Sequence, residues 1–207
     1  MLRLIIVILL VAVHAVPAAA APLSVRVVDG KGRPVRDAVV TLRPAGVRAA
    51  PLALSGRYTV SQKNMQFDPF VLVVPVGANV SFSNFDASKH HVYSFSPAKR
   101  FELKLFARDQ SRSVKFDKPG VVALGCNIHD AMTAFIVVSD SAWTARTDAQ
   151  GVVQFDDAPN AAARLSVWHP YLRTPGNVVV TPIGAGHRYE RFILNLRPPP
   201  MRMSHDY

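Results

Sequence analysis

The chain has 207 residues, of which 49% are hydrophobic and 18% charged, and its formal net charge at pH 7 is +10. This apolar content is ample for a folded core and excludes a disordered polar chain. A single cysteine excludes an intramolecular disulfide, a thiolate zinc cluster and a cysteine-held iron–sulfur cluster. Sixteen prolines and eleven glycines are many for a helical bundle and favour short strands and turns.

The first twenty residues have the pattern of a secretory signal peptide. A short positive start ending at Arg3 precedes an unbroken apolar run over 4–13, and alanines occupy positions 18–21. The run is too short to span a bilayer, which takes about 20 apolar residues. We expect cleavage near Ala20 and export to the periplasm; the alternative is an uncleaved N-terminal anchor. Exported cysteines usually pair, so the single Cys126 needs an explanation.

Four strands are predicted before the middle of the chain. Residues 24–29 and 38–43 alternate between apolar and polar side chains and flank a stretch rich in turn residues. Residues 70–74 form a short apolar run typical of a buried strand, and residues 79–83 alternate as a half-buried strand does. A polar loop then leads to two adjacent histidines, at positions 90 and 91.

A cysteine, a histidine and a methionine follow one another closely further along. A turn at Pro119-Gly120 leads into an apolar strand predicted over 121–124. Cys126, His129 and Met132 come directly after it. Thiolate and thioether are soft ligands that favour copper, and imidazole suits both Cu(I) and Cu(II). Two histidines, one cysteine and a weak axial methionine form a blue-copper electron-transfer site, so this loop supplies three of the four ligands.

The second histidine of such a site must come from elsewhere, and the pair at 90 and 91 is the candidate. The alternative is a loop that is only packed, with Cys126 acting as a small buried hydrophobe. That alternative leaves unexplained why so many soft or borderline ligands lie in two short loops of an exported chain.

The stretch over 62–139 resembles the cupredoxins, the fold of plastocyanin and amicyanin. The resemblance rests on a Phe-x-Pro start at Phe67, a His-x-Val step at His90, the Pro-Gly turn and the Cys-x2-His-x2-Met loop. The spacing within that loop is that of amicyanin. The resemblance implies a Greek-key β-sandwich that holds one copper ion. The ligands carried over by position are His90, Cys126, His129 and Met132.

One position departs from the family's pattern. Amicyanin and plastocyanin have asparagine after the first histidine, where it ties the two ligand loops together, and here that position is His91. Either His91 takes over this bonding role, or His91 is itself the ligand and the alignment is shifted by one residue. The segments HHVYSFSPAKRFEL and LGCNIHDAM also resemble proteins described as methylamine utilization or plastocyanin-like proteins.

The segments on either side resemble two halves of a carboxypeptidase-regulatory-like, transthyretin-like β-domain. The first half covers 22–60, and the second covers 141–197, where Thr-Asp-x-x-Gly at 147–151 precedes a strand ending in His-Pro. We expect an all-β protein in which a cupredoxin domain over 62–139 is inserted into one split sandwich. Residues 198–207 are expected to form a disordered tail. The alternative is that the flanking segments are only extra strands of the cupredoxin.

The predicted function is that of a type 1 copper protein carrying single electrons, not an enzyme. Nothing in the sequence suggests an open coordination position for a substrate or a second copper set. Two alternatives stay open. One is a copper storage or delivery protein that binds Cu(I) without redox cycling. The other is a non-redox binding module in which the small β-sandwich acts.

The expected partner is a redox protein with an acidic docking face. Residues 89–118 hold eight lysines and arginines against three acidic residues, and such an excess can steer docking. Contact with an anionic membrane surface is an alternative, and so is a solvated basic face that serves solubility. Nucleic acid is not an expected partner, because an exported protein rarely meets it.

Overall fold

The computed structural model describes residues 22–47, 52–54 and 56–199. Within these ranges the chain forms sixteen β-strands and one short 3-10 turn, so the expected all-β class is confirmed. The predicted signal peptide and residues 200–207 of the predicted tail lie outside the described residues. No helix among the described residues has the length and apolar character needed to cross a membrane.

The five strands predicted from the sequence begin and end within one residue of strands in the structure, namely the first, second, fifth, sixth and tenth in chain order. In chain order they are β1 (Leu23–Asp29), β2 (Val39–Pro44), β3 (Tyr58–Lys63), β4 (Gln66–Asp68), β5 (Val71–Pro75), β6 (Ala78–Asn84), β7 (His90–Ser96), β8 (Lys99–Phe106), β9 (Ser111–Phe116), β10 (Gly120–Gly125), β11 (Thr133–Ser139), β12 (Thr144–Arg146), β13 (Val152–Phe155), β14 (Ala163–Trp168), β15 (Val178–Ile183) and β16 (Tyr189–Leu194).

The first sandwich combines the early and late parts of the described chain. Its sheets have the strand orders β13-β1-β16 and β12-β2-β14-β15, and β1 pairs parallel with β16. Val25 and Val27 are fully buried while Arg26 between them is exposed, which is the alternation of a strand with one face on the core. Leu42 of β2 and Leu165 of β14 are buried on the opposite side of the same core.

The second sandwich holds the middle of the chain. Its sheets have the orders β4-β3-β6-β9 and β5-β11-β10-β7-β8, so several neighbours are not consecutive in sequence. Phe82, Phe106 and Phe116 are among its largest fully buried side chains. β3 crosses the expected boundary at 60–62 and lies wholly in the sheet with β6, which it pairs in parallel.

The cores of the two sandwiches share no residue among those described. One is built from residues 23–42 and 153–194, and the other from residues 60–138. This division is what insertion of one domain into another produces. The exact domain boundaries stay a prediction.

A third apolar cluster joins the outer faces of the two sandwiches. Phe135 of β11 contacts Trp168 of β14 edge-on, with ring centroids 5.6 Å apart. Phe70 packs edge-on against Phe135 and stacks on Tyr171, with centroid distances of 5.6 and 5.9 Å. The first sandwich therefore covers the outer face of β11, the strand that follows the predicted ligand loop.

Candidate metal centre

Two loops at one end of the second sandwich carry the predicted ligands. The first joins β6 to β7 and leads to His90, and the second joins β10 to β11 and runs from Cys126 to Met132. β7 and β10 are antiparallel neighbours, with Gly125 opposite Tyr93, so the end of β10 lies beside the start of β7. Sheet pairing thus brings together side chains that are 36 positions apart in sequence.

Tyr93 packs directly over the glycine that precedes the cysteine. A Cβ atom at residue 125 would lie 2.7 Å from Cζ and 2.8 Å from the hydroxyl oxygen of Tyr93. Real Cβ atoms do not approach other atoms so closely. The absence of a side chain therefore lets the tyrosine ring cover the strand immediately before Cys126.

Three side chains converge between the two loops. The Nδ1 atoms of His90 and His129 each lie 3.9 Å from the Sγ atom of Cys126, and the three atoms lie within 4.8 Å of one another. A metal with trigonal bonds of about 2.3 Å to sulfur and about 2.0 Å to nitrogen, the lengths in zinc sites, would separate sulfur from nitrogen by about 3.7 Å. The spacing therefore fits one ion held by two imidazoles and a thiolate.

The site is enclosed on one side and open on the other. His90 is fully buried and Cys126 is 3% exposed, whereas His129 is only partly buried. Met132 is 1% exposed, lies in the same apolar core cluster as Cys126, and donates its N–H to the carbonyl oxygen of His129 at 2.9 Å. A thioether, a thiolate and two imidazoles are the donor set that suits copper. The axial role of Met132 stays a prediction.

The structure places His90, and not His91, beside Cys126. Alternation along β7 turns His90 and Val92 into the core and His91 outward. The Nε2 atom of His91 lies 2.9 Å from a carboxylate oxygen of Glu102 on β8, and its Nδ1 atom has no hydrogen-bond partner in the described part of the chain. The hydrogen bond of His91 thus runs to the neighbouring strand instead of the second ligand loop.

The first ligand loop is shaped by a buried asparagine at the end of β6. The side-chain amide of Asn84 donates to the carbonyl oxygens of Ser88 at 2.8 Å and Phe106 at 3.0 Å. Its side-chain oxygen accepts the N–H of Asp86 at 2.8 Å. Three hydrogen bonds from one side chain fully buried at the strand end therefore fix the path of the loop towards His90.

Asp86 is not part of any motif singled out in the sequence, yet it contacts the predicted ligand His90 directly. Its Oδ2 atom lies 2.8 Å from Nε2 of His90, the ring nitrogen that faces away from Cys126. Partial burial would raise the pKa of Asp86, but hydrogen bonds from Met65, His90 and Asn64 outweigh burial and hold the pKa below its usual value. A carboxylate four residues before a histidine in a short loop was the available signal.

Solved structures similar to this chain include three copper proteins. A Cu-containing nitrite reductase from Thermus scotoductus is 27% identical over 47% of this chain, with a TM-score of 0.39, and the match spans only 25% of that protein. A purple cupredoxin from Nitrosopumilus maritimus is 20% identical over 40% of this chain and 99% of its own, with a TM-score of 0.36. A reduced Cu(I) form of an amicyanin variant is 23% identical over 48% of this chain and 98% of its own, with a TM-score of 0.38.

The chain matches no family model and no curated protein. The TM-scores of the three similar structures are all below 0.5. The assignment of the site therefore rests on the positions of its own side chains.

Proposed function

We propose that this protein is a type 1 copper protein that carries single electrons between redox partners. Its ligands would be His90, Cys126, His129 and Met132. The observation that carries the proposal is the spacing between the cysteine sulfur and each of two imidazole nitrogens, 3.9 Å in both cases, at the end of a β-sandwich. A copper ion bound there would supply one-electron chemistry by changing between Cu(II) and Cu(I).

The residues around the site hold the ligands in one arrangement. His90 begins a strand that is paired on both sides, by β8 and β10. Cys126 follows Gly125, over which Tyr93 packs. The strand after Met132 is covered by the first sandwich through Phe135. Support of this kind limits how far the ligands can move when the oxidation state changes, which favours rapid electron transfer over substrate chemistry.

His129 is the histidine of the cluster that is only partly buried. Its neighbour in sequence, Ile128, is an apolar side chain that is 48% exposed. Exposed apolar groups beside a reactive centre mark a surface where another protein docks. We propose that electrons enter and leave at this edge.

The partner we propose has an acidic face. Most lysines and arginines between residues 89 and 118 are exposed, namely Lys89, Arg100, Lys104, Arg108, Arg112, Lys115 and Lys118. The eighth, Lys99, is partly buried and lies 3.3 Å from a carboxylate oxygen of Asp117. A positive surface on the second sandwich would speed its encounter with an acidic protein, and this effect would be larger at low ionic strength.

The proposed location is the periplasm. The pattern of residues 1–20 supports export, and one metal-bound thiolate accounts for an unpaired cysteine in an oxidising compartment. We propose a carrier and not an enzyme because the four expected ligands would fill the coordination positions of the ion.

A copper titration of the purified mature protein tests the proposal. Addition of Cu(II) to the wild type should give an intense visible thiolate-to-copper band, and Cys126→Ala should abolish it. His90→Ala should remove the band, whereas the neighbouring variant His91→Ala should keep it. A colourless Cu(I) complex without a reversible potential would favour copper delivery instead. If the protein takes up no metal, the remaining hypothesis is a non-redox binding module.

A further inference from the structure

We infer that Asp86 is a positioning residue for His90, selecting the ring nitrogen that faces the metal and favouring Cu(II) over Cu(I) at that nitrogen. The inference rests on the proposed function, because it assigns a role towards the proposed copper ligand. It concerns a residue outside the set of four ligands that the sequence predicts.

The two ring nitrogens of His90 face different groups. Nδ1 lies 3.9 Å from the Sγ atom of Cys126, and Nε2 lies 2.8 Å from the Oδ2 atom of Asp86. A neutral imidazole has one N–H donor and one lone-pair acceptor, and an ionised carboxylate can only accept. Nε2 therefore carries the proton and donates it to Asp86. The lone pair is left on Nδ1, where it points towards the thiolate and the expected ion.

Asp86 is itself held by backbone N–H groups of the turn between β3 and β4. Its carboxylate accepts the backbone N–H groups of Asn64 at 2.6 Å and Met65 at 3.0 Å. Both residues have positive φ angles, 55° and 54°, in the turn between β3 and β4. Successive N–H groups in such a turn can form an anion-binding concavity. Each of the two carboxylate oxygens thus accepts a backbone N–H. The side chain of Asp86 is only 14% exposed, so these bonds fix the carboxylate in place.

A negative charge bonded to the ligand should affect both oxidation states unequally. A carboxylate partner makes the imidazole a stronger donor, and its charge attracts Cu(II) more than Cu(I). Loss of such a partner usually weakens metal binding roughly 10- to 100-fold. If most of that loss falls on Cu(II), a tenfold change in the ratio of the two affinities raises the reduction potential by about 59 mV.

The residue next to His90 provides a matched control, because it is also bonded to a carboxylate. His91 and Glu102 form a second histidine–carboxylate pair at 2.9 Å, nearly the same length as the His90–Asp86 pair. His91 is not in the ligand cluster, and the side chain of Glu102 is 62% exposed. Glu102→Gln therefore removes one negative charge from the same strand region without touching a proposed ligand.

The test compares wild type, Asp86→Asn and Glu102→Gln, each loaded with copper, by voltammetry. We expect the potential of Asp86→Asn to rise by about 59 mV or more, a tenfold change, and that of Glu102→Gln to stay near the wild-type value. Equal potentials in the two variants would overturn the inference. Either neither substitution would change the potential, or any change would come from the lost charge and not from the bond to His90. A wild type that forms no visible thiolate–copper band would instead contradict the proposed function.

Nitrogen-15 NMR of the metal-free wild type gives a second measurement that needs neither copper nor a folded variant. We expect the imidazole of His90 to be protonated at Nε2 and unprotonated at Nδ1. A proton found on Nδ1 would refute the positioning role even if Asp86→Asn failed to fold. Loading the wild type with Zn²⁺, which has no redox chemistry, should leave the Nε2 proton in place.

Discussion

The contact between Gly125 and Tyr93 gives a quantitative prediction for the strand that leads into Cys126. In Gly125→Ala the new methyl carbon would meet three atoms of the Tyr93 ring at 2.7, 2.8 and 3.2 Å. The ring would have to move away from the strand. Phe95 and His91 lie on either side of it, with ring centroids 5.2 and 5.8 Å away, and they restrict that movement.

The size of the effect follows from two opposing contributions. Crowding of this kind costs about 1–3 kcal/mol. Glycine in a strand is less stable than alanine by about 0.5–1 kcal/mol, and the φ angle of Gly125 is not one that disfavours alanine. We therefore expect Gly125→Ala to lower the free energy of unfolding by about 1 kcal/mol. In a Tyr93→Ala background the crowding is absent, so the same substitution should be stabilising by about 0.5 kcal/mol.

Denaturant unfolding of the metal-free protein measures all four members of this double-mutant cycle. The change of sign is the decisive feature, because a general loss of strand stability would destabilise both backgrounds equally. The reasoning would be refuted if Gly125→Ala cost the same free energy with and without the tyrosine ring.

Three further predictions concern the ligand loop, the first sandwich and the charged surface. Met132→Ala should retain copper and its visible band but shift the reduction potential, since three ligands remain; voltammetry measures the shift, and loss of the metal would contradict an axial role. Burial lowers the pKa of His169, although Asp37 and a hydrogen bond at Arg36 oppose this. The contribution of His169 to the free energy of unfolding should therefore be fully present above the ordinary histidine pKa and be lost as the pH falls below it. In His169→Asn the side-chain oxygen can accept the Tyr171 N–H as Nδ1 does. Denaturant unfolding should show that this variant loses less stability than the wild type between pH 7.5 and 5.5. Lys104→Glu should slow association with an acidic redox partner, and added salt should reduce the difference from wild type in stopped-flow measurements; a salt-independent rate would contradict electrostatic docking.

The second ligand loop could be predicted because its chemistry is local. Cys126, His129 and Met132 lie within one short segment, and their types and spacing alone point to a soft metal. The choice between His90 and His91 could not be made in the same way. A shift of one residue exchanges the two faces of a strand, and the pairing of β7 with β8 is irregular between His90 and Val92. Only the folded sheet decides which imidazole faces inward.

The sequence signal for Asp86 is weak because the position of its carboxylate depends on distant partners. The N–H groups that hold its carboxylate belong to residues 64 and 65, more than twenty positions earlier in the chain. The same is true of the fold. Alternation located β1 and β2 within one or two residues, but the parallel pairing of β1 with β16 joins segments about 165 residues apart. Such pairings leave no periodic signal in either segment.

The third apolar cluster gives a physical reason for packing the sandwich with the candidate metal centre against the other one. The two strands that border the second ligand loop are β10 and β11, and both contribute outward-facing side chains to that cluster, Val121 from β10 and Phe135 and Val137 from β11. Trp168 of the first sandwich packs on Phe135, three residues after Met132. Covering these strands stabilises the part of the sheet from which the cysteine–methionine loop extends. The opposite edge of the same sheet, at β7 and β8, keeps Phe95 and Leu105 exposed. The first sandwich therefore stabilises the buried half of the site, while the surface around His129 stays accessible to a partner.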